Sequence, residues 1–161
     1  MIEYIEHKEF SDAVEEMLSD VSVVEFNPIR EQDITVLSLV VVRTNTDGEE
    51  EEPKGKPIVC KKISPLFTAL TKAHYLLVCD NYFWNHADGT QQKAALHHAL
   101  MQINVEKTKK GAIKLGTRKP EVQEFRSTVA RYGAYTENLL DFRQAFQRSA
   151  KQFVENTKAK A

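Results

Sequence analysis

Apolar residues recur at helical spacing along residues 9–18. Phe10, Val14, Met17 and Leu18 fall on one side and Asp12, Glu15 and Glu16 on the other, so the stretch predicts a short amphipathic helix with an acidic wet face. Residues 21–26 and 34–43 predict strands. The second is nearly continuous Val, Leu and Ile, broken only by Thr35 and Ser38, which is the pattern of a strand buried on both faces. Residues 58–63 and 75–80 predict two more strands, with a helical turn over 66–72 between them. Tyr82, Phe83 and Trp84 then form an aromatic cluster at the sheet edge, suited to core packing.

Asp88-Gly89-Thr90 predicts a turn in which Asp88 or Thr90 caps the helix that follows over residues 91–103. On that helix Leu96, Ala99, Leu100 and Ile103 make one apolar stripe, and Ala94, Ala95 and Met101 occupy much of the rest. A helix apolar on more than one side belongs in the middle of a fold. Residues 107–119 predict a basic loop or hairpin punctuated by glycine, and 120–131 a helix with Pro120 in its first turn and Glu121 well placed for the dipole. Residues 137–156 predict a long closing helix with Leu139, Phe142, Phe146, Ala150 and Phe153 on one side. Such a stripe is core, or a contact between two copies of the chain. The expected fold is α+β: a short mixed sheet of three to four strands packed on a central helix, with N-terminal and C-terminal helices.

Composition fits one domain over residues 1–161, with 42% hydrophobic residues and no apolar run near the roughly 18 residues a membrane helix needs. The start is acidic and lacks the layout of a secretory signal. Cys60 and Cys79 lie in apolar strand-like runs and read as reduced, buried thiols, which favours a cytoplasmic location. The net charge of −1 hides an asymmetry. Residues 1–52 hold fifteen acidic and three basic side chains; residues 53–161 hold eight acidic and nineteen basic. That division steers a charged partner or draws the two halves together. The four consecutive glutamates at 49–52 sit in a polar loop, 44–55, expected to be mobile.

The central helix also carries the one recognisable chemical pattern. Zinc peptidases of the H-E-x-x-H type need two His one helical turn apart, to reach one metal, and a Glu beside the first as general base. Here the first His is His98, the Glu position is Ala99 and the second His position is Gln102. The order Lys54-Gly55-Lys56-Pro57, Trp84, helix 91–103, Glu124-Phe125 and Arg131-Tyr132-Gly133, over residues 54–140, resembles the phage metallopeptidase family of small zincin-like proteins. The resemblance implies a zincin-like domain, with an acidic helix-strand region at 1–52, the family core at 53–135 and a C-terminal helix at 136–161. Where the family has a downstream His and Asp, this chain has Pro120 and Glu121.

Those departures lead to the expectation of a pseudo-enzyme, with no catalytic residue, metal or cofactor. It would act as a binding module that holds a polypeptide beside His98, Gln102, Tyr82 and Trp84 and inhibits or modulates a host defence or replication protein in the host cytoplasm. One alternative is sequence-tolerant nucleic-acid binding through Lys107, Lys109, Lys110, Lys114, Arg118 and Lys119, with Arg126 and Arg131 on the next helix. Another is a metal-dependent peptidase with ligands relocated to His86, Asp88, Glu121 or Glu124. Adjacent His97 and His98 point about 100° apart on a helix and cannot easily share one ion. There is no G-x-S-x-G, no phosphate-cradling glycine loop and no Cys–His motif. A homodimer through the C-terminal helix is a further expectation; a membrane partner is not.

Overall fold

In the computed structural model of the chain, residues 1–119, 126–133, 135, 144, 147 and 148 are described. Strand β1 (Ile2–Ile5) leads to helix α1 (Lys8–Ser19), a 3-10 turn (Val24–Phe26), helix α2 (Asn27–Glu31) and strand β2 (Val36–Arg43). Strand β3 (Ile58–Lys62), helix α3 (Pro65–Thr71) and strand β4 (Tyr75–Asp80) follow, then helices α4 (Asn81–His86) and α5 (Gly89–Met101). A hairpin of β5 (Ile103–Lys107) and β6 (Ile113–Thr117) precedes helix α6 (Arg126–Tyr132). The main sheet is mixed, in the order β1-β2-β4-β3, with β2 parallel to β4 and both edge strands antiparallel to their neighbours. The α+β architecture expected from the pattern is the one found.

Successive side chains of a strand point to opposite faces. Val40, Tyr75, Leu77, Cys79, Ile58 and Cys60 lie on one face of this sheet and are buried beneath the helices. Helix α1 packs there through Phe10, Val14 and Met17, and the Phe10 ring meets Trp84 edge-on at 5.0 Å. The His7 side chain caps α1 by accepting from the Phe10 N–H at 3.3 Å. Helix α5 is buried at every residue from Ala94 to Met101. Its mixed apolar surface is covered by β3, α1, α6 and β5 together.

Three expectations change. Residues 21–26 are not a strand. The Asp20 carboxylate accepts from the Ser22 N–H and hydroxyl, and the Arg30 guanidinium donates to the carbonyls of Leu18, Asp20 and Val23, so the chain curls instead of extending. Val23 and Phe26 still reach the core, which is why the stretch looked apolar. The acidic start forms a real edge strand, β1, whose pairing with β2 no local pattern announced. Strand β2 is buried on both faces only towards its end, where the successive residues Val40 and Val41 are both buried, whereas Leu37 near its start is 43% exposed.

The 44–55 loop is tied more closely than its charge implied. The Asn45 side-chain carbonyl accepts from the N–H groups of Asp47 and Glu49, Gly48 turns the chain at φ +83°, and Glu50 accepts from the Asn81 amide at 2.7 Å. Asp88 caps α5 as expected, in a full capping box with Gln91: its carboxylate accepts from the Gln91 N–H at 2.8 Å while the Gln91 side chain accepts from the Asp88 N–H at 3.0 Å. Among the described residues no helix is long and apolar enough to cross a membrane. The aromatic stripe of 137–156, and the homodimer contact expected there, lie outside the described residues. Replacing Asp88 with Ala is expected to lower the unfolding free energy by about 1 kcal/mol, read by urea denaturation.

Candidate functional site

The chain reaches the chemical region through Asp80, the last residue of β4. Its carboxylate is buried, caps α4 by accepting from the Tyr82 and Phe83 N–H groups at 3.1 and 3.4 Å, and pairs with the Arg43 guanidinium. That cap turns the aromatic cluster into a helix. Trp84 then packs inward, while the Tyr82 ring stacks on His86 at 4.0 Å. Gln92 donates to the Trp84 carbonyl at 2.6 Å, fixing α5 against α4.

On α5, His98 is buried and lies one turn from Gln102, whose amide nitrogen is 3.4 Å from His98 Nε2. That N–H can donate to the ring when His98 carries its proton on Nδ1. Ala99, between them, is wholly buried. A carboxylate there would need a cation to repay its desolvation. Among the described residues no three His, Cys, Asp or Glu side chains are grouped closely enough to hold a metal ion. The described residues therefore offer His98 as an imidazole donor but not a zinc ligand set. Pro120, Glu121 and Glu124 lie outside the described residues. His86 and Asp88 serve local structure: His86 Nδ1 is 2.7 Å from the Tyr82 carbonyl, and Asp88 is the helix cap.

The binding cleft expected beside His98, Gln102, Tyr82 and Trp84 does not come together. Trp84 and His98 are buried and Tyr82 is committed to His86. The polar centre of the region belongs instead to His97, which sequence reasoning used only to exclude a shared metal. His97 is wholly buried, with Nδ1 2.6 Å from the Thr128 hydroxyl, which is itself buried, and Nε2 3.9 Å from a Glu25 carboxylate oxygen. Phe26 and Tyr132 flank the ring at 5.2 and 5.5 Å. Arg131 pairs with Glu25 at 3.2 Å, so one residue of the expected basic surface is spent on this cluster. Glu25 lay hidden in a segment that resembled a strand, and Thr128 carried no motif.

The other basic residues divide. Lys107, Lys109, Lys110, Lys114 and Lys119 are exposed on or beside the hairpin. Arg118 is exposed as well, with its backbone N–H bonded to the Gln102 carbonyl at 2.7 Å and its guanidinium 3.5 Å from the Ile103 carbonyl. Arg126 opens α6. Burial pushes the Cys60 thiol up from an ordinary 9.0 to about 12, and Cys79 rises well above its usual range, first through burial and then through the nearby Asp80 charge. Both thiols are free, as expected, and a protonated buried thiol is a poor metal ligand.

A family model described as "Putative phage metallopeptidase" matches residues 2–153, nearly the whole chain, so the chain belongs to that family. The match extends well beyond the 54–140 segment that carried the resemblance. It overturns the expectation that the protein is not an enzyme, because the family it joins is described by a peptidase activity. No curated protein and no solved structure matches the chain.

Three outcomes follow from the buried groups. Replacing Thr128 with Val removes the hydroxyl from His97 and is expected to cost about 1–3 kcal/mol of unfolding free energy, read by chemical denaturation. At pH 8 a disulfide reagent should leave both thiols unmodified in the folded protein and modify both in denaturant. Above pH 9.0 the unfolded thiols lose protons that folded Cys60 keeps until about 12, so stability should fall across that window.

Proposed function

We propose that this chain acts by binding a host protein, and that the partner docks on the uncovered face of the sheet and the helix beside it. The observation that carries this reading is an exposed apolar surface. On the sheet it comprises Leu37 and Val59, both exposed, with Leu39, Leu76 and Val78 half-buried between them, and it ends where Val41 on the same face is buried. Helix α3 adds a knob in which no residue is buried: Leu66, Phe67 and Leu70 are 69%, 58% and 73% exposed.

Isolated exposed hydrophobes are ordinary, but three large ones on one seven-residue helix favour an interaction site. The residues flanking the knob are tied to the sheet by Ile63 N–H donating to the His74 carbonyl at 2.9 Å and His74 N–H donating to the Thr35 carbonyl at 2.8 Å. The Thr35 N–H also donates to His74 Nδ1 at 3.0 Å. An aromatic ring flanked by two leucines is the kind of anchor that a binding hot spot uses. Lys61 on the open face and Lys72 at the end of α3 supply a basic rim, so the partner surface is apolar with acidic edges.

Recognition of a polypeptide is also what a metallopeptidase family requires of its members, so the reading is compatible with the family. The sequence-level expectation of a defence or replication protein sets the class of host partner to screen.

The test is affinity capture from host lysate with wild-type protein, with Phe67→Asp/Leu70→Asp, and with Glu16→Lys on the opposite side as a control. Each protein is checked for folding by circular dichroism and for mass by light scattering. One host protein held by wild type and the control, and lost by at least tenfold with the α3 variant, supports the reading. Equal capture by the α3 variant, or a wild-type dimer that the same variant dissociates, overturns it.

A further inference from the structure

The sequence places one basic cluster on residues 107–119. The structure enlarges it. Lys62 Nζ donates to the Leu115 carbonyl at 2.9 Å, and the Tyr75 hydroxyl donates to the Gly116 carbonyl at 2.6 Å. These two bonds lay β6 beside the end of β3, so Lys62 joins the hairpin lysines although some 50 residues separate them in the chain, whereas Lys61 alternates to the open face. Lys62 and residues 103–119 together carry seven basic side chains and one acid, Glu106.

We propose that this strip, built from Lys62, Lys107, Lys109, Lys110, Lys114 and Lys119, binds the phosphate backbone of double-stranded nucleic acid without regard to sequence. The apolar side chains of the hairpin are turned away from it: Val105 and Leu115 pack against the core, which leaves lysines and the half-exposed Ile113 outside. A protein–protein hot spot needs a buried apolar or aromatic anchor, and the strip has none. Charge without an anchor gains affinity chiefly by releasing counterions from a polyelectrolyte, which favours nucleic acid over an acidic protein. Neither segment contains Phe, Tyr or Trp, so there is no platform for stacking unpaired bases, and a duplex is the better fit.

Lys62 keeps two donors after serving Leu115, so its role in joining the two segments does not remove it from a ligand.

The test is fluorescence anisotropy with a labelled mixed-sequence duplex, its single strand, and polyglutamate as competitor. Duplex affinity is expected to fall about a thousandfold between about 50 and 200 mM salt, as for six phosphate contacts. Lys109→Glu/Lys110→Glu and, separately, Lys62→Glu should each weaken duplex binding at least tenfold, whereas Lys8→Glu on α1 should not. The Lys62→Glu arm tests the structural claim, because that residue belongs to the strip only through the fold. No duplex binding at low salt, an unchanged affinity for Lys62→Glu, or competition by polyglutamate equal to that by duplex would overturn the proposal. Phe67→Asp/Leu70→Asp should leave duplex binding intact, which separates this surface from the apolar one.

Discussion

The rest of the molecule depends on the burial of α5. Eight consecutive residues, Ala94 to Met101, are removed from solvent, so the helix has no wet side along that stretch. A helix in that position can be stable only if other elements enclose it, because its mixed apolar surface and its two imidazoles must all be desolvated. The covered face of the sheet supplies one wall, α1 another, and β5 and α6 complete the enclosure. The capping box at Asp88 satisfies the start of α5, and Gln92 locks it to α4. Burial also explains Ala99. At a wholly enclosed position a small apolar residue costs nothing, whereas a carboxylate would need a partner to repay its desolvation.

Enclosure has a second consequence at His97. A wholly buried imidazole demands polar company, and it finds Thr128 on one side and the Glu25–Arg131 pair towards the other. Those partners come from the 3-10 turn and from α6, far apart in the chain. The cluster therefore fastens the acidic N-terminal region to the C-terminal part of the fold through a residue on the central helix. Glu25 with Arg131 is a direct instance of attraction between the acidic and basic halves. It is a local one, since α1 keeps its acids exposed and the hairpin keeps its lysines exposed.

What the sequence made legible was local. Helix α1, helix α5 and strands β2, β3 and β4 announce themselves by periodicity and by caps a few residues away, and the Asp88 cap could be placed to the residue. The hairpin was legible as a basic, glycine-punctuated turn. Strand β1 was not, because four residues have no period worth reading and their role is set by pairing with β2 some 38 residues later. The stretch 21–26 misled because Val23 and Phe26 are core residues in a turn, and the turn is enforced by Arg30, whose reach to three carbonyls no local pattern encodes. The open face of β2 was hidden for a related reason: an apolar run says that a strand is central, not that both of its faces are covered. Of the candidate site, Ala99, His98 and Gln102 were placed correctly on one helix, but the cleft around them was not, since Trp84 turns inward to Phe10.

Strand β3 is where these arguments meet. Its alternation sends Ile58 and Cys60 into the core against the sheet's helices, and sends Val59 and Lys61 to the open face. Lys62, at its end, reaches across to β6. An edge strand invites unwanted pairing, and lysine is a common guard against it. One outward lysine at the exposed edge serves that purpose. Lys62, turned to the other side and brought against a hairpin that carries four more lysines, exceeds what protection requires and concentrates charge there. The apolar open face begins immediately next to that charge. The same five residues thus divide the surface into an apolar field suited to a folded polypeptide and a cationic strip suited to a phosphate backbone. The boundary between them is fixed by the two-residue period of a strand.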